Sequence, residues 1–418
     1  MKRRKYVQFN RLCICILYSL CCLMIISAIL EKYTIYSMLF MLSFVIVLFI
    51  FFANIDKYSK SDWLLLFALI CLTLFNVFVN ALCNDNAKLS FNYLKKYIMF
   101  IAAMIFLSLS SKVKIDSKTK KFIGVATIIL SCLIILFYFL FGKTLYRFNG
   151  IQSKYLVFNF GNPNTAGMYL TAVALIELSV FYNVGIFKKI IVLGIGAFLC
   201  YLVTLTQCRN AELAILIFLA VQIIYRIKLS VKRNTKFPKW FVVLIAVIPI
   251  LFAVVYMSLI DNPVVENALK FMSSEGKGID SREKIWSRAF SAFANSPIFG
   301  AYSEISSGSG KSQMHNSHVD VLVSYGIVPF IIMIIVLSKI MLETNKKINS
   351  LKQQNYYIAF MCIVFIGCGE AVLFSGGILY IFAGCMLLCS SYSETCDVQC
   401  TNDKMLFDKK CCYVANRY

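Results

Sequence analysis

Charge is in short supply in this chain. Only 15% of its 418 residues are Asp, Glu, Lys or Arg, where a soluble globular chain carries about a quarter. Acidic residues number 20 against 42 basic ones, and there are only two histidines. No carboxylate-rich metal site and no nucleotide-binding glycine loop can be read from the pattern. The shortage of acid leaves a formal net charge of +22. In a soluble protein that would suggest nucleic acid, but the chain has no soluble module to carry such binding, so no nucleic-acid partner is expected. The segment 261–317 contains no cysteine, so its fold does not rest on a disulfide. Most of the 17 cysteines lie inside apolar runs, where they behave as small hydrophobes. The tail thiols Cys396, Cys400, Cys411 and Cys412 match no standard zinc spacing and read as reduced.

Long apolar runs are abundant. The apolar fraction is 60% and the mean hydropathy +0.76. The runs are continuous, which favours helices over an alternating β-barrel. A helix needs about 20 apolar residues to cross a bilayer. That length places spans near 12–30, 35–53, 63–83, 93–111, 122–141, 165–183, 190–206, 211–227, 240–260, 318–338, 356–374 and 376–392. The expectation is an all-α integral membrane protein of about twelve spans. Spans one to nine fill 1–260, a long extracytoplasmic loop covers 261–317, the last three spans fill 318–392, and 393–418 form a cytoplasmic tail. The run 12–30 is longer than a signal-peptide core and lacks a cleavage site, so it reads as an uncleaved first span. Lys and Arg concentrate in the segments this arrangement puts inside (Lys2 to Lys5, Lys112 to Lys121, Arg226 to Lys239, Lys339 to Lys352), with both termini cytoplasmic.

The chemistry-bearing residues fall on the other side. In the long loop, Asp280 and Glu283 form a capping-box pattern ahead of a helix that Pro297 ends. Ile285, Trp286, Ala289, Phe290 and Phe293 share one stripe, making a short amphipathic helix. Arg282 sits within that stripe in the first turn, and Arg288 points away from it. Arg282 is placed either to meet an anion at the helix N-terminus or to pair with Asp261 or Glu266. Arg209, in LTQCRNAELA, closes the seventh span; it either snorkels or joins Gln207, Asn210 and Glu212 in a hydrated pocket. Both histidines, His315 and His318, lie in HNSH at the loop's end. They offer a general base, a metal pair with Asp320 or Glu304, or a structural role. Glu370, read as inside an apolar helix, and Glu177 are membrane carboxylates of the kind that serve function or pair with a cation. Arginines suit a phosphate or diphosphate through bidentate bonds, which points to a lipid-diphosphate substrate.

These residues occur within GNPNTAG (161–167), the Cys208–Arg209 turn, DSREKIW and SPIFG (280–286 and 296–300), MHNSHVDVLVSYGIVPF (314–330) and Glu370. In this order the chain resembles the O-antigen ligase and Wzy-type repeat-unit polymerase superfamily of bacterial membranes. It departs at Cys208, where many relatives carry a small hydroxyl residue. The resemblance implies transfer of a glycan from undecaprenyl diphosphate to an acceptor hydroxyl outside the bacterial cytoplasmic (inner) membrane. Arg209 and Arg282 would hold the diphosphate and His315 would deprotonate or orient the acceptor, with Glu370, Asn316, His318 and Arg288 in support. No cofactor and no metal are implied. The partners would be the bilayer, the lipid-linked oligosaccharide, a flippase and a chain-length regulator. A polymerase extends a lipid-linked repeat unit and a ligase loads lipid A–core. A different class would be a twelve-span carrier, which would put its long loop inside between two six-span halves, or a flippase, which would want charges lining its helices at membrane depth, where they are scarce here.

Overall fold

The computed structural model describes residues 2–30, 32–83, 87–142, 146–148, 151–153, 155–160, 162–180, 186–231, 236–259, 262, 280–302, 314–371 and 378–392. The long loop is therefore described only in part, and the expected tail, its cysteines, Glu304 and the Asp261 and Glu266 partners of Arg282 lie outside the described residues. Nearly everything described is helical: α1 (Lys2–Ile29), α2 (Tyr33–Ala53), α3 (Lys60–Leu82), α4 (Ala87–Lys112), α5 (Ser117–Phe141), α6 (Pro163–Val180) and α7 (Ile186–Thr206). They continue as α8 (Arg209–Val231), α9 (Lys239–Leu259), α10 (Asp280–Asn295), α11 (Ser317–Tyr325), α12 (Ile327–Lys347), α13 (Leu351–Ile366) and α14 (Leu379–Ser390). A small antiparallel hairpin pairs β1 (Tyr146–Phe148) with β2 (Ile151–Ser153) between α5 and α6.

Local chemistry sets several helix starts. Ser59 and Asp62 form a reciprocal capping box on α3, Asp116 caps α5 through the Thr119 amide, and Ser350 caps α13 through Gln353. Eight helices are long and apolar enough to cross a membrane: α1 to α5, α7, α9 and α12. The remaining expected spans fall short of that measure among the described residues. Helix α6 opens on polar residues and holds Glu177, α13 has 16 residues, and α14 has 12. Large apolar side chains such as Phe67, Phe78, Phe139, Phe187, Ile190, Leu216 and Trp240 stay exposed around the bundle. That is far more apolar surface than a water-facing protein tolerates, and it suits contact with lipid. Helix α14 is the opposite case, with every one of its residues buried between α13, α4 and α6.

Hydrogen bonds and ion pairs sort the helix ends into two sets. At the end where the chain starts, Arg11 (α1) bonds Asp116 at 3.0 Å, and Asn10 and Asn54 pair reciprocally. Asn345 (α12) pairs with the backbone of Phe237 ahead of α9, and Gln353 (α13) bonds the Tyr392 carbonyl after α14. Lys112 (α4) bridges Asp62 (α3) and Glu343 (α12), each at 2.9 Å, and Lys339 also contacts Asp62. At the opposite, distal end, Asn159 bonds the Ile29 carbonyl, the Leu156 amide bonds Leu205, and Asn76 and Asn80 of α3 hold the carbonyls of Ile298 and Phe299.

Two expectations about helices are corrected. The span expected at 318–338 is two helices, α11 and α12, broken at Gly326. Gly326 has φ +84°, and a Cβ there would strike the Ile298 carbonyl, so the turn requires glycine. The Ile327 amide then bonds the Pro297 carbonyl at 2.9 Å, and the Ala301 amide bonds Val323 at 2.8 Å, which stitches SPIFG onto the break. The span expected at 356–374 instead runs from Leu351 to Ile366 and ends in a turn over Gly367, Cys368 and Gly369. Glu370 is thus in a turn, not inside a helix.

Candidate functional site

The loop helix is where its periodicity predicts. Along α10, Trp286 and Ala289 are fully buried, Ile285, Phe290 and Phe293 are half-buried, and Arg288 is exposed on the other face. This stripe packs with Ala253 of α9 and with Met314, Val319 and Val323. Trp286 donates its indole N–H to the Met314 carbonyl at 2.6 Å, fixing the residue just before His315. Asp280 and Arg282 open α10, but their side chains lie outside the described residues, so neither the cap nor the anion role is described.

The HNSH segment divides its work. His315 sits before α11 in a left-handed backbone conformation, φ +47°, uncommon for a residue with a Cβ and of the kind that clusters at functional sites. Asn316 caps α11, accepting from the amides of His318 and Val319, and donates to the carbonyls of Pro249 (2.7 Å) and Cys368 (2.9 Å). Pro249 lies inside the continuous helix α9, where it lacks the backbone N–H that another residue would donate. His318 is fully buried and donates from Nε2 to the Ala246 carbonyl at 2.7 Å, one turn earlier on α9. The two imidazoles therefore diverge: His315 turns to α13's terminal turn and His318 to α9. A shared metal between them lacks the geometry that residues i and i+3 on one helix would have given.

His315 Nδ1 lies 3.0 Å from Glu370 Oε2. Glu370 is buried, its side chain 4% exposed against 24% for His315. Its other oxygen, Oε1, accepts from Asn164 Nδ2 at 2.8 Å. Ser317 fastens the same turn, bonding Gly367 through its amide and Glu370 through its hydroxyl. A carboxylate that accepts Nδ1–H selects the tautomer with an unprotonated Nε2, which is the acceptor a general base needs. The sequence suggests an outer arginine as a partner of Glu370; its described bonds include those to His315 and Asn164, and the Arg282 side chain lies outside the described residues.

Arg209 is the first residue of α8 and is exposed, within electrostatic reach of Glu212. Its neighbours tie it to the dyad. Asn210 abuts the Cα of Gly369, the residue before Glu370, and Cys208 with Thr206 leaves room only for glycine at Gly167 of α6. The site thus gathers His315, Glu370, Asn316 and His318 directly and brings the α8 start beside them, while Arg288 stays out on α10. Glu177 is fully buried in α6, where Ser131 donates to its Oε2 at 3.3 Å.

Sequence reasoning missed three elements. Asn164 carries no assigned role within GNPNTAG. Lys96 of α4 forms a 2.6 Å ion pair with buried Asp320 of α11, its ammonium 5.1 Å from the Tyr302 ring centroid. Tyr93 donates to the Ser324 carbonyl at 2.6 Å and stacks on Tyr302. A lysine pair in the least apolar of the candidate spans is the available signal for Lys96.

A family model described as O-Antigen ligase matches residues 194–334, from within α7 into α12. No curated protein matches the chain. The matched stretch contains Arg209, Arg282, Arg288, His315, Asn316 and His318, and over it the resemblance to the O-antigen ligase and Wzy-type polymerase superfamily is shown.

Proposed function

We propose that this chain is a polysaccharide repeat-unit polymerase of the bacterial inner membrane, transferring a glycan from undecaprenyl diphosphate to an acceptor sugar hydroxyl outside the membrane. The supporting observation is the 3.0 Å pairing of His315 Nδ1 with buried Glu370 beside the α8 start. His315 Nε2 takes the acceptor's proton as the hydroxyl oxygen bonds the anomeric carbon. The anomeric C–O bond breaks, and the lipid diphosphate departs with the bonding electrons. Arg209 and Arg282 neutralise the charge that grows on the diphosphate, an effect strongest in a partly desolvated site. His318, Asn316 and Arg288 take no part in bond making; Asn316 and His318 hold α11 on α9. Flippase and chain-length regulator partners belong to this reading as its suppliers and controls.

The topology proposed with it is about twelve crossings with both termini cytoplasmic. The two sets of helix ends support it, since successive helices other than α10 and α11 run between them in alternation. Ligation to lipid A–core would use the same chemistry with a different acceptor, and no residue favours one over the other. Product analysis in cells lacking the protein decides. Single repeat units accumulating on lipid support the polymerase, and unattached long polymer supports the ligase. The transporter reading predicts instead that lipid-linked units fail to reach the outer face. His315→Ala blocking polymer while delivery stays normal excludes it.

A further inference from the structure

Glycan transfer as proposed gives no task to the GNPNTAG segment, yet the segment reaches the centre of the site. We infer that Asn164 is a positioning residue: it holds the Glu370 carboxylate so that its second oxygen faces His315 Nδ1. The inference rests on the transfer reading for its purpose but on geometry for its substance.

The segment is built for that reach. Asn162 accepts the Asn164 amide in its side-chain oxygen at 2.9 Å and the Ala166 amide in its backbone carbonyl at 3.2 Å. Pro163 is the first helical residue, where a missing N–H costs nothing and φ is already set. Gly167 admits the α7–α8 turn against the same face of α6. Asn164 is thereby fixed in the first turn of α6 and donates 2.8 Å to Glu370 Oε1, across 206 positions of sequence. A carboxyl group turns about one terminal torsion with broad, two-fold preference. One bonded oxygen leaves that torsion loose; two bonded oxygens fix its plane. With Oε1 held by Asn164, Oε2 is directed at His315, whose Nδ1–H it accepts, leaving Nε2 bare. The chain Asn164–Glu370–His315 thus links α6, the α13 turn and the segment before α11. Hydrogen bonds to charged groups contribute more than neutral ones, so losing this donor changes the carboxylate's orientation as well as its packing.

The test uses the chain's two histidines. Full-length protein carrying nitrogen-15 histidine, in detergent above neutral pH, gives signals from His315 and His318 alone. His318, buried and donating from Nε2 to Ala246, reports whether the fold survives. In the unaltered protein His315 carries its proton on Nδ1. In Asn164→Ala the Nδ1–H to Nε2–H ratio falls about threefold to tenfold while the His318 signals hold. Asn164→Leu, similar in size but with no donor, lowers the ratio at least as far; packing alone would make it benign. An unchanged His315 ratio in both variants, with His318 intact, overturns the proposal whatever the polymer yield. A lowered ratio in both variants supports it whatever the polymer yield, because a tenfold fall from a large ratio still leaves much of His315 with a bare Nε2. His315→Ala with full polymer yield would sink the transfer reading instead.

Discussion

At the scale of single residues, the site separates two histidines that look equivalent in HNSH. Their difference comes from backbone: His315 precedes the Asn316 cap and His318 follows it, so their rings point to different helices. His315→Gln is expected to lower transfer by about 100-fold or more, the usual worth of a general base, and Glu370→Gln by about tenfold or more; polymer formed per unit protein in membranes is the measurement. His318 should instead show itself in stability. It is fully buried and donates to the Ala246 carbonyl, so His318→Gln should lower the thermal midpoint in detergent, while protein that still folds keeps its transfer activity. An unchanged midpoint would exclude this assignment. The residue types are legible in the sequence, which offers only two histidines and few membrane carboxylates. Their pairing is not, because His315 and Glu370 are 55 positions apart and no local pattern records such a contact.

Among the elements, the loop helix is the most legible. Its stripe and its stop before Pro297 follow from 3.6-residue periodicity and helix-end chemistry. The α11–α12 break escapes a hydropathy window because both helices are apolar and the window averages across Gly326. Gly326 followed three residues later by Pro329 is the readable sign, a glycine outside a helix start and a proline within its first turn. Gly326→Ala should lower stability by about 1–3 kcal/mol, through a positive φ and a Cβ against the Ile298 carbonyl. Gly194→Ala, where an added Cβ meets nothing within 4 Å, is the matched control and should be neutral or slightly stabilising. Thermal midpoints in detergent compare them. Asn316→Ala removes a cap and two buried donors together and should cost at least about 2 kcal/mol by the same assay.

For the whole molecule, composition and run length are enough to read an all-helical membrane protein. The count is less legible, because α13 and α14 are shielded by neighbours and need neither full length nor uniform apolarity. The charge bias that suggests the orientation also has a structural counterpart. Asp62, Lys112, Lys339 and Glu343 gather α3, α4 and α12 at the end where the chain begins. Asp62→Ala would remove the carboxylate from Lys339, leave Lys112 with Glu343 alone and break the capping box with Ser59, and should cost about 1–2 kcal/mol, seen as a lower thermal midpoint. Orientation itself can be tested with an impermeant thiol reagent on intact cells. With the exposed native Cys71, Cys83 and Cys132 replaced by serine, Arg288→Cys should label and Lys346→Cys should not; the reverse pattern would place the His315 side in the cytoplasm and remove the proposed chemistry.

The shortness of α13 and α14 has a consequence for water. At 1.5 Å per residue, 16 and 12 residues extend about 24 Å and 18 Å, against a hydrocarbon core of about 30 Å. The turn bearing Glu370 closes α13, one of these short helices, and its side chain is only 4% exposed, so little bulk solvent reaches the residue. On the proposed chemistry, a glycosyl donor activated beside it would meet few competing water molecules. Such shielding biases the partition of the sugar towards the alcohol and away from wasteful hydrolysis.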